Sequence, residues 1–286
     1  MKEVKETFST TACRRETIIF LLSFLIFLAS IRVEARPPEV ADRLNGAFLK
    51  QLLADTGEII TSPTRWAKDD WLTFSLSLAT SCAWWSVDNS IHEWIHDTHH
   101  PGLTSVSKVL SGAGHPLSLI GIFSAGYLAG ELTGSSSLRQ TFLLSAESLL
   151  ITELFVQAGK IAIGRARPYT LEGSSSFHLF TLKGDWQSFP SGHSSAAWAV
   201  ATTIASRTKC IYLKVLLYSL SAGISLSRVI LDKHFASDIV ASSLLGYYIS
   251  QKIGHKTASQ VKEPDQPAVS LSVAPGLISL NLSYQF

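Results

Sequence analysis

The chain has 286 residues and 46% of them are hydrophobic, enough for one sizeable core or one domain with extensions. The formal net charge of +2 excludes the strong basic excess of a nucleic-acid-binding protein. Only 16% of the residues are charged and the mean hydropathy is +0.23, so contact with a membrane has to be considered.

The N-terminus predicts a secretory signal peptide. Basic side chains precede an apolar run over residues 18–31, and short residues follow up to Ala35, where we expect cleavage. An uncleaved signal anchor is the alternative, although the run is short of the roughly 20 residues of a spanning helix. We therefore expect export to the cell envelope. The expected division is a signal peptide at 1–35, a lead-in at 36–69, the main domain at 70–255, and a linker with a tail at 256–286.

Apolar stretches of helical composition predict an all-α helical bundle. Gly, Pro and Ser separate them, one long loop covers 168–190, and an amphipathic helix near Asp42–Leu53 precedes them. The predicted helices are Trp71–Trp85, Pro116–Leu132, Thr141–Ala162, Ser195–Ser206, Ile211–Leu226 and Asp238–Ile253.

The last 18 residues have a different pattern. Apolar and polar residues alternate over 269–273 and again over 278–286, with Pro275 and Gly276 between them. This alternation predicts a short C-terminal β-hairpin. The hairpin either covers one flank of the domain or resembles the C-terminal signal of outer-membrane proteins, although one hairpin cannot close a barrel.

The first polar cluster contains two cations near a predicted helix end. Lys160 and Arg167 are seven residues apart, about two helical turns, so they are expected to share a helix face that ends before Pro168. An Arg fork and a Lys point charge at one helix end suit the oxygens of a phosphate group.

The second cluster, Pro190-Ser191-Gly192-His193, comes just before a predicted helix. Ser191 is a good N-cap residue, and the free N–H groups of a helix N-terminus attract anions. Gly192 allows the backbone to approach a ligand closely. We expect His193 on the first turn, beside the same site.

The third cluster contains Arg228, His234 and Asp238. His234 and Asp238 are four residues apart, so on a helix Asp238 can accept the N–H of one ring nitrogen. This bond fixes the tautomer of His234 and leaves the other nitrogen free to attack. Arg228 adds a third cation.

The order of the three clusters resembles the signature of the type 2 phosphatidic acid phosphatase (PAP2) superfamily, which also contains vanadium haloperoxidases. The resemblance covers about residues 70–255 and implies an all-α bundle, no cofactor and no metal. It implies that His234 is a nucleophile forming a phosphohistidine, that Asp238 orients it, and that His193 is the general acid and then the base. Phosphate oxygens are then stabilised by Lys160, Arg167, Ser191, Gly192 and Arg228.

The expected partner is a phosphorylated small molecule or a lipid phosphate. Aromatic and apolar residues in the 168–190 loop suit a lipid chain, although they equally suit ordinary packing. A haloperoxidase or a phosphotransferase that uses the same pocket is the alternative. A zinc protease is a remote one, suggested by His92-Glu93-x-x-His96 with His99 and His100 nearby.

Two questions about the setting stay open. Most predicted helices have about 12–17 apolar residues, and Glu147 and Glu153 are costly in lipid, so we favour a periplasmic bundle over an integral membrane protein. If every helix spanned a membrane, the site would also face the cytoplasm. Cys82 and Cys210 are predicted either to form a disulfide or to be two buried free thiols.

Overall fold

The structure is a computed structural model that describes residues 41–98, 101–258, 268–274 and 277–283. The predicted signal peptide at 1–35 lies outside these residues. Within the described ranges the chain forms the helices α1 (Gly46–Thr61), α2 (Lys68–Trp85), α3 (Asp88–Asp97), α4 (Pro101–Ala113), α5 (Pro116–Leu132), α6 (Ser136–Ile163), α7 (Gly192–Ser206), α8 (Ile211–Ile230) and α9 (Ala236–Ala258).

The prediction of an all-α bundle is confirmed, and most of the predicted helices are present. Helix α1 begins later than expected, because the side chain of Asn45 accepts hydrogen bonds from Ala47 and Phe48 and so caps it there. Helix α4 was not predicted. Its Ser-rich and Gly-containing sequence has weak helix propensity, so packing against α8 stabilises it.

Helix α7 lies at the centre of the bundle, between α6, α8 and α9. Its buried face consists largely of Ala, Ser and Thr, which lets neighbouring backbones come close. The closest approach is to Gly246 of α9, where a Cβ atom would lie 2.2 Å from the carbonyl oxygen of Ser195. This contact holds the N-terminal halves of α7 and α9 together.

Buried hydroxyl groups join these helices. The Oγ atom of Ser194 lies 2.7 Å from that of Ser225 and 2.9 Å from that of Ser243, linking α7 to α8 and α9. Thr203 donates to the Oγ atom of Ser148 at 2.8 Å and links α7 to α6. Each buried hydroxyl in this set therefore has a partner, as the cost of an unmade hydrogen bond requires.

Two of the described helices are long and apolar enough to cross a membrane: α6 with 28 residues and α8 with 20. A third span results if α4 and α5 act as one bent pair. The expectation that the helices are too short to span is therefore wrong for α6 and α8. Both helices are longer than predicted, because α6 begins at Ser136 rather than Thr141 and α8 ends at Ile230 rather than Leu226. The polar residues within α6, such as Ser145, Glu147 and Ser148, are buried inside the bundle.

The tail forms the predicted antiparallel pair of strands, β1 (Ala268–Ala274) and β2 (Leu277–Ser283). Their register places Leu271 opposite Leu280. The intervening residues 275–276 and the final three residues lie outside the described part of the chain. The two alternatives for the role of the hairpin, covering one flank of the domain or contacting a membrane, both stay predictions.

Candidate active site

The N-terminus of α7 forms one wall of the site. Ser191 has the extended backbone of an N-cap residue, as predicted, and its N–H donates to the Oγ atom of Ser242 at 2.5 Å. Its side chain does not make the expected capping bond. The buried Oγ atom has no hydrogen-bond partner among the described residues, and the first N–H groups of the helix have no intrahelical acceptor. This wall therefore offers several unused polar groups to an anion.

Lys160 and Arg167 come from two different elements, because α6 ends at Ile163 and Gly164 takes a left-handed conformation with φ 57°. The prediction of one shared helix face is therefore wrong. Lys160 stands on the last turn of α6, and its Nζ atom lies 3.7 Å from the position that a Cβ atom on Gly192 would occupy. Arg167 lies in the following loop, where it donates to the carbonyl oxygens of Gly184 at 2.8 Å and Lys233 at 3.1 Å.

His234 is buried and precedes α9, which begins only at Ala236. Its Nδ1 atom lies 2.6 Å from the carbonyl oxygen of Ser188 and 3.8 Å from the Oδ2 atom of Asp238. The expected hydrogen bond to Asp238 is therefore replaced by one to a backbone carbonyl, since His234 is not on the helix that would align the pair. A carbonyl can only accept, so Nδ1 carries the proton and the neutral ring has its lone pair on Nε2.

Asp238 acts on His234 indirectly. One carboxylate oxygen accepts hydrogen bonds from the Oγ atom of Ser188 at 2.5 Å and from the N–H of Phe235 at 2.8 Å. These two bonds fix the backbone segments on both sides of the histidine ring. Asp238 thus positions the carbonyl of Ser188 and the backbone after His234.

Arg165 is a part of the site that sequence reasoning missed. Its buried guanidinium donates to the Oδ1 atom of Asp238 at 2.6 Å and to the Oδ2 atom of Asp88 at 2.7 Å. It also bonds the carbonyl oxygen of Ser174, and Asp88 accepts from the backbone N–H of Ser237 at 2.8 Å. Arg165 lies inside the first cluster, but Asp88 is 77 residues away and no sequence signal connects the two.

The third cation, Arg228, stands on the last turn of α8 and donates from Nη1 to the Oγ atom of Ser111. Its buried Nε atom has no hydrogen-bond partner among the described residues. His193 stands on the first turn of α7, as predicted, and its ring centroid lies 6.0 Å from that of His115 at the start of α5.

Electrostatics connect the two histidines. Burial lowers the pKa of His234 to about 4, and Arg167 and Arg228 add to this effect against the opposing influence of Asp238. Burial and the charge of Arg228 lower the pKa of His193 to about 3. Burial by itself would raise the pKa of Asp238, but His234 and Arg165 lower it overall. Without a ligand, both rings are therefore neutral near pH 7, and the surrounding field favours an anion.

The PAP2 superfamily model matches residues 141–255, the segment that contains all three clusters. The lipid A 1-phosphatase of Porphyromonas gingivalis is 30% identical over 107 residues, which make up 34% of this chain and 21% of that protein. The match thus spans about a fifth of that relative's length.

Two solved structures are similar to parts of this chain. A transmembrane phosphatidylglycerolphosphate phosphatase from Bacillus subtilis is 17% identical with a TM-score of 0.47, over 76% of this chain and 96% of that one. LpxE from Aquifex aeolicus is 18% identical with a TM-score of 0.45, over 57% of this chain and 92% of that one.

The HExxH motif lies on α3, and its His92 contacts Asp232 in the segment that the PAP2 model matches. His92 faces Asp232 at 3.2 Å, and among residues 41–98 and 101–258 no three His, Cys, Asp or Glu side chains are grouped to hold a metal. His99 and His100 lie outside the described residues. Helix α3 has only ten residues, and its first residue, Asp88, holds Arg165. Through Asp88, helix α3 is therefore connected to Arg165 of the candidate site.

Cys82 and Cys210 are both free and exposed. The two alternatives from the sequence, a disulfide or two buried thiols, are therefore both wrong. Apolar neighbours in the sequence suggested burial, but both side chains face outward.

Proposed function

We propose that the chain is a phosphatase that hydrolyses a phosphate monoester or pyrophosphate through a phosphohistidine at His234. The observation that carries this proposal is the bond from His234 to the carbonyl of Ser188, which fixes the tautomer with a free lone pair on Nε2. Burial keeps this ring neutral, so the nucleophile is ready at neutral pH without a separate base.

In the first step, Nε2 of His234 attacks phosphorus and the P–O bond to the leaving group breaks. His193 donates a proton to the leaving oxygen, and in the second step it takes a proton from the water that attacks the phosphohistidine. Burial and Arg228 lower the pKa of His193 to about 3, and the negative charge of a bound phosphate raises it, so that the ring can be protonated when the substrate binds.

The remaining groups stabilise the transferring phosphoryl group. Lys160, Arg167 and Arg228 supply positive charge, and the Oγ atom of Ser191 and the N–H of Gly192 supply hydrogen bonds. Support for this assignment comes from the unpartnered Oγ atom of Ser191 and the unpartnered Nε atom of Arg228. Buried polar atoms without partners are rare, and a phosphate would satisfy them.

We further propose that the phosphate belongs to a lipid and that the chain associates with a membrane. Helices α6 and α8, both long and apolar enough to span, carry Lys160 and Arg228 on their last turns. The site therefore lies at the ends of both candidate spans. Many of the large apolar side chains of α2, α5 and α8 are also exposed, for example Leu72, Leu117 and Val215.

The experiment is a substrate panel with the purified full chain, comparing p-nitrophenyl phosphate, phosphatidic acid and an isoprenoid diphosphate. We expect release of inorganic phosphate that persists in EDTA and disappears in the His234→Ala variant. Full activity of that variant would remove the proposal. The His96→Ala variant is the matched control, because its side chain is exposed on α3 and we expect it to stay active.

The same preparation tests the alternatives. Bromination of an indicator with vanadate and peroxide would favour a haloperoxidase, and phosphate transfer to an added alcohol would favour a phosphotransferase. Export is tested by N-terminal sequencing of the mature chain, which we expect to begin at Arg36. Release by osmotic shock alone, without detergent, would contradict membrane association.

A further inference from the structure

The segment that follows α6 exposes a compact apolar surface. Leu179 is 62% exposed, Phe180 79% and Leu182 78%, whereas the polar Thr181 between them is buried. We call Leu179, Phe180 and Leu182 the apolar patch. This inverted pattern, with apolar side chains outward and a polar one inward, is the opposite of what water favours.

The patch is firmly held by the end of α6. The backbone N–H of His178 donates to the carbonyl oxygen of Gly164 at 2.7 Å, and that of Thr181 donates to Ile161 at 3.2 Å. Gly164 is required there, because a Cβ atom would lie 1.8 Å from the carbonyl oxygen of His178. The exposure of the patch is therefore built into the fold by bonds that use up the last carbonyls of the helix.

Its position follows from the candidate spans. Helix α6 has 28 residues, about 42 Å of helix, while the hydrocarbon core of a bilayer is about 30 Å thick. At least one end of α6 therefore extends beyond the hydrocarbon core, and the cost of burying the charge of Lys160 in lipid favours the C-terminal end. The patch is bonded to that end, the same end that carries Lys160.

The charges around the patch suit the same layer. Lys183 follows Leu182 directly and is exposed, and the ammonium group of Lys233 lies 4.6 Å from the ring centroid of Tyr169 in the neighbouring loop. Leu and Phe side chains beside Lys and aromatic residues are typical of surfaces that insert into the interface and bind anionic headgroups.

We propose that the apolar patch inserts into the membrane leaflet that holds the substrate and binds the acyl chains beside the catalytic site. This inference rests on the proposed function and deepens it, because it assigns Leu179, Phe180 and Leu182 as the residues that contact the membrane around the substrate. Contact between the apolar patch and the acyl chains stabilises the complex of the protein with a lipid substrate, whereas a water-soluble phosphate ester has no acyl chain for the patch to contact.

The kinetic test compares the Phe180→Ser/Leu182→Ser double variant with the unaltered full chain, both reconstituted in phosphatidylcholine vesicles. On long-chain phosphatidic acid in those vesicles, we expect KM to rise about tenfold with little change in kcat, since two apolar side chains lose their lipid contact. On p-nitrophenyl phosphate, we expect a change below about twofold. Equal losses on both substrates, or no loss on either, overturn the proposal.

Leu132→Ser is the matched control. Leu132 is 89% exposed at the end of α5, a helix that begins beside His193, so it lies about 24 Å away along the axis. The same apolar-to-polar change there should leave both activities unchanged. A KM increase as large as that of the patch variant would contradict a specific role of the patch.

A direct measurement separates this inference from the proposed function. A fluorophore on Phe180→Cys, in a background with Cys13, Cys82 and Cys210 changed to serine, should be quenched by lipids brominated on their acyl chains. Vesicles of the same composition without bromine provide the reference. Absence of quenching overturns the insertion. If the unaltered chain hydrolyses no phosphate but quenching occurs, the proposed function fails while the insertion stands.

Discussion

Replacing Arg165 by methionine removes the cation between two buried carboxylates. At 2.7 Å from Asp88 and 2.6 Å from Asp238, each ion pair is worth about 6 kcal/mol at an effective dielectric constant of about 20, before desolvation is subtracted. Desolvation offsets much of this gain, but removing one partner leaves both carboxylates uncompensated. We therefore expect Arg165→Met to lower the free energy of unfolding by about 3–5 kcal/mol.

The assay is thermal or denaturant unfolding of the detergent-solubilised chain, together with kcat on p-nitrophenyl phosphate. We expect kcat to fall about 10- to 100-fold, because Asp238 no longer holds Ser188 and His234 in place. Arg139→Met is the matched control. Its ion pair with Asp42, at 2.9 Å, is partly exposed and lies on α6 far from the site, so it should cost about 1 kcal/mol and leave kcat unchanged. A loss below about 1 kcal/mol for Arg165→Met would refute the reasoning.

Three further predictions concern the site and its supports. Ser191→Ala should change the free energy of unfolding by less than about 0.5 kcal/mol, because the Oγ atom has no partner among the described residues, yet it should weaken vanadate binding about tenfold. Ser242→Ala removes the acceptor of the Ser191 N–H and should lower the free energy of unfolding by about 1–3 kcal/mol. A larger loss of stability for Ser191→Ala than for Ser242→Ala would be inconsistent with the proposed site. Gly164→Ala should lower the melting temperature more than Gly173→Ala. Both glycines have a positive φ, but only the Cβ atom at Gly164 would clash with a backbone oxygen, that of His178. Equal decreases in melting temperature would show that the backbone relieves this clash at little cost in free energy. Burial lowers the pKa of His234 from 6.5 to about 4, so the stability that its neutral ring contributes is complete above pH 6.5. This contribution, about 3 kcal/mol of unfolding free energy, is lost as the pH falls from 6.5 to 4. A His234→Gln variant whose unfolding free energy depends on pH in the same way would argue against this.

The sequence predicted the helices and the residue types of the site better than the hydrogen bonds and ion pairs that join the site residues. The motif order predicted that His234, His193 and the cations lie close together, and their mutual electrostatic influence agrees with this, while their catalytic roles stay predictions. The helix-face arguments failed at two places for one reason. Both Arg167 and His234 lie just outside their helices, where the i, i+4 and i, i+7 rules no longer apply.

What the sequence could not predict depends on long-range contacts. The bond of His234 to a carbonyl at Ser188, and the bond of Arg165 to Asp88, join segments 46 and 77 residues apart. Backbone carbonyls carry no sequence signature, so such a partner cannot be found from residue types. The exposed apolar patch was visible only as aromatic and apolar composition, since exposure depends on how the segment is bonded to α6.

The central claim is that His234 carries the phosphoryl group between substrate and water. The most direct measurement is rapid acid-free quenching of the full chain with ³²P-labelled substrate, followed by alkaline peptide mapping. We expect one acid-labile, alkali-stable phosphohistidine, at His234, that forms and decays at rates matching turnover and is absent from His234→Ala. Label on another residue, or hydrolysis at the full rate with no labelled intermediate, would contradict it.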